Sequence, residues 1–194
     1  MFYRVTIFFF KALFLIFYRI QCVGLENVPK EGAAIICSNH TDFKDPALIA
    51  VLSKRVLHFM AKKQLFENKL FAFVFKNLNA FPIDRESGRD IEAMRKAANV
   101  LKQGEVLGIF FEGRRIKEGE AKSAKAGVVL FALKSKAPII PTYISGNYKL
   151  FSKLTVKYGD PVFFEGHYGQ KVTQELLEKL TKVVSEKVEA LSLV

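Results

Sequence analysis

Cysteine is scarce in this sequence. Cys22 and Cys37 are the only two cysteines among 194 residues, which excludes a fold held together by several disulfides. Cys37 comes shortly before His40 and could be imagined as its nucleophilic partner, but its place in an apolar strand favours a buried structural thiol. The chain also lacks internal repeats and low-complexity tracts. Its length predicts a single domain.

Acidic residues are outnumbered in this chain. There are 19 Asp and Glu against 30 Lys and Arg, and the formal net charge is +11. Such a balance is typical of proteins that bind nucleic acid, an anionic membrane or acidic substrates. A non-catalytic binder of nucleic acid or anionic membranes is therefore one alternative, and it predicts binding that depends steeply on salt.

The N-terminus lacks an apolar run long enough for an ordinary membrane span. In residues 5–18 only Thr6 and Lys11 are not apolar. A helix of that length measures about 21 Å, whereas the hydrocarbon core of a bilayer is about 30 Å thick. Arg4, Lys11 and Tyr18 are spaced seven apart, so they share one helical face. An apolar helix with a basic stripe is typical of the membrane interface.

Two other interpretations of this N-terminal segment stay open. One is a helix buried in the protein core, and the other is a signal peptide. The signal peptide lacks a small-x-small cleavage site, because Arg19-Ile20-Gln21-Cys22 follows the apolar run. We predict that residues 1–22 form an N-terminal membrane-associating helix and that residues 23–194 form the remaining domain.

The most informative stretch is Ser38-Asn39-His40-Thr41-Asp42-Phe43-Lys44-Asp45-Pro46. It lies between an apolar run that predicts a strand and one that predicts a helix. Asp45-Pro46 predicts the helix start, with Asp45 as the N-cap and Pro46 as the first helical residue. The preceding loop can fold His40 back onto the Asp45 carboxylate, which is the arrangement of an oriented general base. The five-residue spacing of His40 and Asp45 alone fits an ordinary N-cap beside a solvated histidine equally well.

Four motifs together give a more specific indication. His40-x4-Asp45 after Asn39 resembles the first motif of the lysophosphatidate acyltransferase family of glycerolipid synthesis. Three further blocks are similar to that family's other motifs and occur in the same order over about residues 25 to 160. They are Phe81-Pro82-Ile83-Asp84-Arg85, Phe110-Phe111-Glu112-Gly113-Arg114-Arg115 and Pro138-Ile139-Ile140-Pro141.

The sequence departs from the usual family pattern at four positions and keeps the catalytic pair. Asp42 stands where Ser is common, Phe111 where Pro is usual, Arg114 in place of Thr and Ile116 in place of Ser. The departures leave the acceptor open.

The resemblance implies an O-acyltransferase that moves a fatty acyl chain from acyl-CoA or acyl-carrier protein to the sn-2 hydroxyl of lysophosphatidate. It implies catalytic roles for His40 and Asp45. It implies no metal, no prosthetic group and no nucleic acid, and a place at the cytoplasmic face of the cell membrane. The substrate-binding residues that it implies are Lys62, Arg85, Glu112, Gly113 and Arg115.

A metal-dependent hydrolase is the second alternative, because His40, Asp42 and Asp45 are possible metal ligands. That enzyme would lose activity with a chelator, whereas the acyltransferase would not.

Strand patterns alternate with helix patterns along the chain, which predicts an α/β fold. We expect a single domain with a mixed, mostly parallel sheet flanked by helices. Residues 65–78 interleave phenylalanines with lysines. That pattern fits a core helix, a membrane-facing helix, the wall of an acyl groove or a single-stranded nucleic-acid surface.

Overall fold

The computed structural model describes residues 2–84, 90–111 and 126–193. These residues form helices and strands that alternate along most of the chain. In chain order the elements are α1 (Phe2–Phe17), β1 (Arg19–Val23), β2 (Ala34–Ser38), α2 (Asp45–Leu52), β3 (Leu57–Lys62), α3 (Lys69–Asn77), β4 (Ala80–Ile83), α4 (Ile91–Lys102), β5 (Val106–Phe110), α5 (Gly127–Ser135), β6 (Ile139–Gly146), β7 (Lys153–Tyr158) and α6 (Gln174–Ala190).

One seven-stranded sheet organises the described residues. Its strand order is β1-β7-β6-β2-β5-β3-β4. Every neighbouring pair is parallel except β6 and β7, which run antiparallel. The predicted single α/β domain with a mostly parallel mixed sheet is confirmed. Because β2, β5, β3 and β4 run the same way, their carboxyl ends meet at one edge, where open α/β sheets bind ligands.

Apolar side chains fill both faces of the sheet because the central strands are buried on both sides. On one face, Ile36 and Ile140 pack with the apolar residues of α2 and with Phe14 of α1. On the other face, their strand neighbours Ile35 and Ile139 pack with residues of α4, α5 and α6. The sheet is therefore a rigid layer that fixes the loops at its edges.

The predicted N-terminal segment needs one correction. The helix ends at Phe17, and Arg19–Val23 is a strand at the sheet edge, in parallel register with Lys153–Lys157 of β7. Residues 19–22 therefore belong to the sheet and not to a membrane-associating helix that reaches residue 22. The reason is non-local: β1 gains its backbone hydrogen bonds from a strand more than a hundred residues later in the chain.

Candidate active site

A side-chain amide extends the sheet at the point where the motif begins. The Asn39 amide donates to the Ile144 carbonyl at 2.9 Å, and the Asn39 amide oxygen accepts from Ile144 N–H at 2.7 Å. Two such bonds reproduce a β-ladder pair, so the loop leaves the sheet from a fixed position. Asn39 is buried, and the residue that follows it is His40.

The predicted pair is formed. His40 Nδ1 lies 2.9 Å from Asp45 Oδ2. Nδ1 donates its proton to the carboxylate, so Nε2 carries the lone pair of the ring and is the basic atom. Among the described residues Nε2 has no hydrogen-bond partner. The arrangement is that of a general base held in one tautomer by a carboxylate.

The prediction that Asp45 is the N-cap of its helix is wrong. The helix begins at Asp45 itself, after Lys44. The Asp45 carboxylate is hydrogen-bonded to the loop that precedes the helix. Its Oδ2 accepts from the N–H groups of Thr41 and Asp42 at 2.7 and 2.8 Å. This oxygen thus folds the loop and orients His40 at the same time.

The other Asp45 oxygen has a partner that the sequence did not indicate. Tyr148 donates its hydroxyl to Asp45 Oδ1 at 2.6 Å. Asp45 is 0% exposed, and a buried carboxylate is stable only when donors satisfy it. Two backbone N–H groups, one imidazole and one phenol supply them here.

The face of the His40 ring is also fixed. Phe110, the last residue of β5, stacks on it with 4.0 Å between ring centroids and 21° between planes. Phe59 of β3 lies behind Phe110 at 6.2 Å and packs directly over Gly108, where any Cβ would collide with its ring. Gly108 therefore allows the aromatic layer that supports His40.

Two departures from the family pattern have a structural role. Asp42 Oδ1 accepts the Lys44 N–H at 3.0 Å, a turn bond that a serine hydroxyl can also make. Phe111 is 1% exposed, and its N–H donates to the Ser38 carbonyl at 3.0 Å. Proline has no N–H for that bond. Both substitutions are compatible with the His40–Asp45 geometry.

One of the residues implied to bind substrate is described. Lys62 is the exposed last residue of β3, in register with Ile83 of β4. It lies at the carboxyl edge of the sheet, the edge that carries His40. The other four, Arg85, Glu112, Gly113 and Arg115, lie outside the described residues. Within the described part of the chain, no group of three or more His, Cys, Asp or Glu side chains could hold a metal ion.

Comparison with protein families agrees with this geometry. The family model described as "Acyltransferase" matches residues 19–145 of the chain, a range that includes β1, the His40 loop and β6. The chain belongs to this acyltransferase family. The resemblance drawn from the four motifs, and the prediction of an O-acyltransferase, are confirmed.

Individual relatives of the acyltransferase have consistent names. A 1-acyl-sn-glycerol-3-phosphate acyltransferase of Bacillus subtilis is 30% identical over 178 residues, which is 89% of this chain and 87% of the relative. One of Borreliella burgdorferi with the same name is 27% identical, over 91% of this chain and 73% of the relative.

A solved structure supports the fold over almost the whole acyltransferase. The crystal structure of the 1-acyl-sn-glycerophosphate acyltransferase PlsC of Thermotoga maritima superposes with a TM-score of 0.75 at 27% identity. The match covers 98% of this chain and 79% of that one.

Sequence reasoning missed Tyr148 and the stacking role of Phe110. Phe110 stands inside a motif that was recognised, so its position next to the site could have been found. Tyr148 lies 103 residues from Asp45 and outside all four motifs, so no local signal pointed to it.

Proposed function

We propose that the protein transfers an acyl chain from acyl-CoA or acyl-carrier protein to the sn-2 hydroxyl of lysophosphatidate, giving phosphatidate. The observation that carries the proposal is the 2.9 Å contact between His40 Nδ1 and the buried Asp45 carboxylate. The names of the Bacillus subtilis and Borreliella burgdorferi relatives support the choice of acceptor.

The proposed chemistry is a direct attack with one proton carried by His40. Nε2 takes the proton of the acceptor hydroxyl while its oxygen attacks the thioester carbonyl carbon. The tetrahedral intermediate then expels the thiolate, the carbon–sulfur bond breaks, and His40 returns the proton to sulfur. Asp45 stabilises the imidazolium that exists between the two steps. No metal and no prosthetic group takes part.

The acceptor phosphate requires cations near this base. Lys62 lies at the carboxyl edge of the sheet, and Arg85 and Arg115 are the arginines of the second and third motifs. We propose that these three side chains bind the phosphate and that Glu112 and Gly113 shape the pocket. A guanidinium binds phosphate through two parallel hydrogen bonds, which gives position as well as charge.

A panel of two donors and two acceptors tests the proposed function. Acyl-CoA and acyl-carrier protein are each offered with lysophosphatidate and with monoacylglycerol, which lacks the phosphate. We expect phosphatidate to be the dominant product and a chelator to leave its rate unchanged. Hydrolysis without transfer, or activity lost to the chelator, would favour a metal-dependent hydrolase instead.

Replacing Arg115 with alanine should weaken the use of lysophosphatidate specifically. A charge-assisted hydrogen bond contributes about 1.5–3 kcal/mol, so kcat/KM for the phosphorylated acceptor should fall about 10- to 100-fold. Activity on monoacylglycerol should change little. Arg115→Lys should restore part of the loss, because lysine supplies a point charge without the fork.

Arg114→Ala is the matched control for this experiment, since Arg114 is a departure from the family pattern and should matter less. A larger loss for Arg114→Ala than for Arg115→Ala would show that the third motif is misaligned. An equal loss on both acceptors would exclude a phosphate role for Arg115.

We further propose that α1 lies in the membrane interface at the cytoplasmic face. Its exposed side is apolar and contains Phe2, Val5, Phe8, Phe9, Leu15 and Ile16. At about 100° per residue, Arg4 and Lys11 fall together along one border of that side. Apolar rings at the level of the acyl chains with cations toward anionic headgroups are typical of an interfacial helix. In the described parts of the chain, no helix has both the length and the hydropathy to cross a bilayer.

A second helix extends this apolar surface. α3 packs against α1 and exposes Leu70, Phe71 and Phe73, whereas Leu78 after its end is buried. Of the alternatives open for residues 65–78, a membrane-facing helix is therefore the one that the exposed side chains favour. Lys69 and Lys76 at its two ends suit an anionic surface.

Replacing both Phe8 and Phe9 with serine should release much of the protein from vesicles of phosphatidylcholine and phosphatidylglycerol. These rings are 75% and 59% exposed, so their removal should not unfold the protein. Each buried phenylalanine contributes about 1.5–3 kcal/mol, so the vesicle partition coefficient should fall more than tenfold per ring.

Phe163→Ser is the matched control, because Phe163 is 53% exposed and its neighbours Val162 and Phe164 pack on the face of the sheet opposite to that of Phe14 in α1. Co-sedimentation with vesicles that is equal for the double variant and the control would contradict the interfacial position of α1. Deleting residues 1–20 is a poorer test, because it removes buried Phe14 and the start of β1.

A further inference from the structure

Tyr148 occupies an unusual position for a residue outside the motifs. It lies between the end of β6 and the start of β7, and its hydroxyl is bonded to Asp45 Oδ1 at 2.6 Å. Among the described residues this phenol is the only donor recorded for that oxygen. The three other donors to the carboxylate all converge on Oδ2. Tyr148 therefore holds the second carboxylate oxygen, while His40 and two backbone N–H groups hold the first.

The chemistry of the phenol suits a permanent donor. Burial, followed by the negative charge of Asp45, raises the pKa of Tyr148 far above its ordinary value. The hydroxyl therefore keeps its proton at any pH at which an enzyme works. It donates to the oxygen that does not contact His40, so it has no part in moving the substrate proton.

The aromatic ring of Tyr148 is held on two sides. The Tyr18 ring meets it edge-on with 5.7 Å between centroids, and Lys44 Nζ lies 4.7 Å from its centroid. Tyr18 in turn packs against Phe14, the buried residue of α1, at 5.6 Å. An unbroken line of contacts therefore leads from α1 to the Asp45 carboxylate.

Backbone hydrogen bonds also join the Tyr148 segment to the end of α1. Phe151 N–H donates to the Phe17 carbonyl at 2.7 Å, and Arg19 N–H donates to the Ser152 carbonyl at 2.9 Å. The segment 147–152, which carries Tyr148, is thus hydrogen-bonded to the end of α1 and to the start of β1. A displacement of the end of α1 would therefore act directly on the segment that positions Tyr148.

We propose that Tyr148 is a positioning residue that fixes the Asp45 carboxylate for His40 and couples it, through Tyr18, to the end of the N-terminal helix. This role rests on the proposed function, because it acts through the His40–Asp45 pair. It goes beyond that function in assigning a third residue to the pair. It also connects the helix proposed for the membrane interface with the base.

Tyr148→Phe tests the hydroxyl alone. Loss of a hydrogen bond to a charged group corresponds to about a 10- to 100-fold effect, so kcat should fall by that factor while KM for lysophosphatidate stays nearly constant. Tyr168→Phe is the matched control: Tyr168 OH accepts a hydrogen bond from Phe164 N–H at 3.2 Å on another part of the chain. The control variant should keep the wild-type kcat. An unchanged kcat in Tyr148→Phe, or an equal loss in both variants, would overturn the proposal.

A measurement without substrate separates this inference from the proposed function. Nitrogen-15 spectra of the His40 ring should show one fixed tautomer, with the proton on Nδ1, in the wild-type protein. In Tyr148→Phe the two ring nitrogens should move toward averaged values as the carboxylate gains freedom. A fixed tautomer in both proteins would overturn the positioning role even if the acceptor were another lysolipid. If the wild-type protein is inactive on lysophosphatidate but Tyr148→Phe still changes the tautomer, only the proposed function is contradicted.

The coupling to α1 has its own variant. Tyr18→Leu removes the ring that braces Tyr148 and should lower kcat by a smaller factor than Tyr148→Phe. If the two residues act in one line, the double variant should be no slower than Tyr148→Phe. Losses that multiply would overturn the coupling, and so would an unchanged kcat in Tyr18→Leu.

Discussion

Replacing His40 with alanine is expected to lower turnover by about 10²- to 10⁴-fold, the usual contribution of a general base. That factor corresponds to about 3–5 kcal/mol of activation free energy. An alcohol is a poor nucleophile at neutral pH, so its attack on a thioester requires that the proton leave as the new bond forms. Among the described residues, His40 Nε2 is the basic atom that the Asp45 contact prepares for this step.

The same substitution should leave the fold almost unchanged. The His40 side chain lies beside Phe110 at the edge of the sheet, and Asp45 keeps the donors Thr41, Asp42 and Tyr148 when the imidazole is removed. The melting temperature should therefore move by no more than a few degrees. Turnover must be measured per folded molecule, with thermal unfolding recorded on the same preparation.

His58→Ala is the matched control for His40→Ala. His58 is a half-buried histidine of β3 that pairs with Glu105, away from the Asp45 carboxylate. This variant loses the same side chain and should keep its turnover. If His40→Ala retained more than about a tenth of wild-type turnover, its loss would fall below the range of a general base, and direct attack assisted by His40 would be wrong.

Much of the sheet was predictable because its central strands carry local signals. The apolar runs at residues 32–37 and 106–111 predict strands, and β2 and β5 begin and end within two residues of these bounds. β1 was not predictable in this way. Arg19–Val23 is half exposed and alternates over only five residues, and its strand identity comes from pairing with β7. Edge strands of this kind depend on tertiary contacts more than on composition.

The contact between His40 and Asp45 was predictable because it is local in sequence. His40 and Asp45 are five residues apart, and a loop that ends at a helix start can bring them together without distant contacts. What could not be predicted is the use of each carboxylate oxygen. The sequence predicted Asp45 both as the N-cap of the helix and as the partner of His40. In the structure one oxygen accepts from both the loop and His40, while the other accepts from Tyr148, which follows the neighbouring strand β6.

Asp45→Asn should separate the charge of this residue from its structural role. The asparagine carbonyl oxygen can take the place of Oδ2 and accept from Thr41, Asp42 and His40, while its amide group donates to the Tyr148 oxygen. The fold should survive, but the negative charge that stabilises the imidazolium is lost, and an amide group turned toward His40 instead fixes the wrong tautomer. We expect turnover to fall about 10²- to 10⁴-fold, as it does when a carboxylate that orients a catalytic histidine is made neutral.

Asp45→Ala should instead reduce stability. It leaves the N–H groups of Thr41 and Asp42 and the hydroxyl of Tyr148 without their acceptor, and each unsatisfied buried donor costs about 1–3 kcal/mol. Allowing for donors that regain water, a loss of about 3 kcal/mol should lower the melting temperature by about 6–12 °C. The two Asp45 variants should therefore differ strongly in stability.

The double variant His40→Ala/Asp45→Asn decides whether the two residues act as one unit. Asp45 can assist the reaction only through the imidazole, so once His40 is absent its charge has nothing to stabilise. Turnover of the double variant should therefore be close to that of His40→Ala alone. Turnover and melting temperature are measured for the two single variants and the double variant in parallel. If the double variant loses the product of the two single factors, Asp45 acts on the substrate independently and the pair does not exist as a unit. If Asp45→Asn unfolds at a much lower temperature but keeps full turnover per folded molecule, Asp45 serves only to hold the loop.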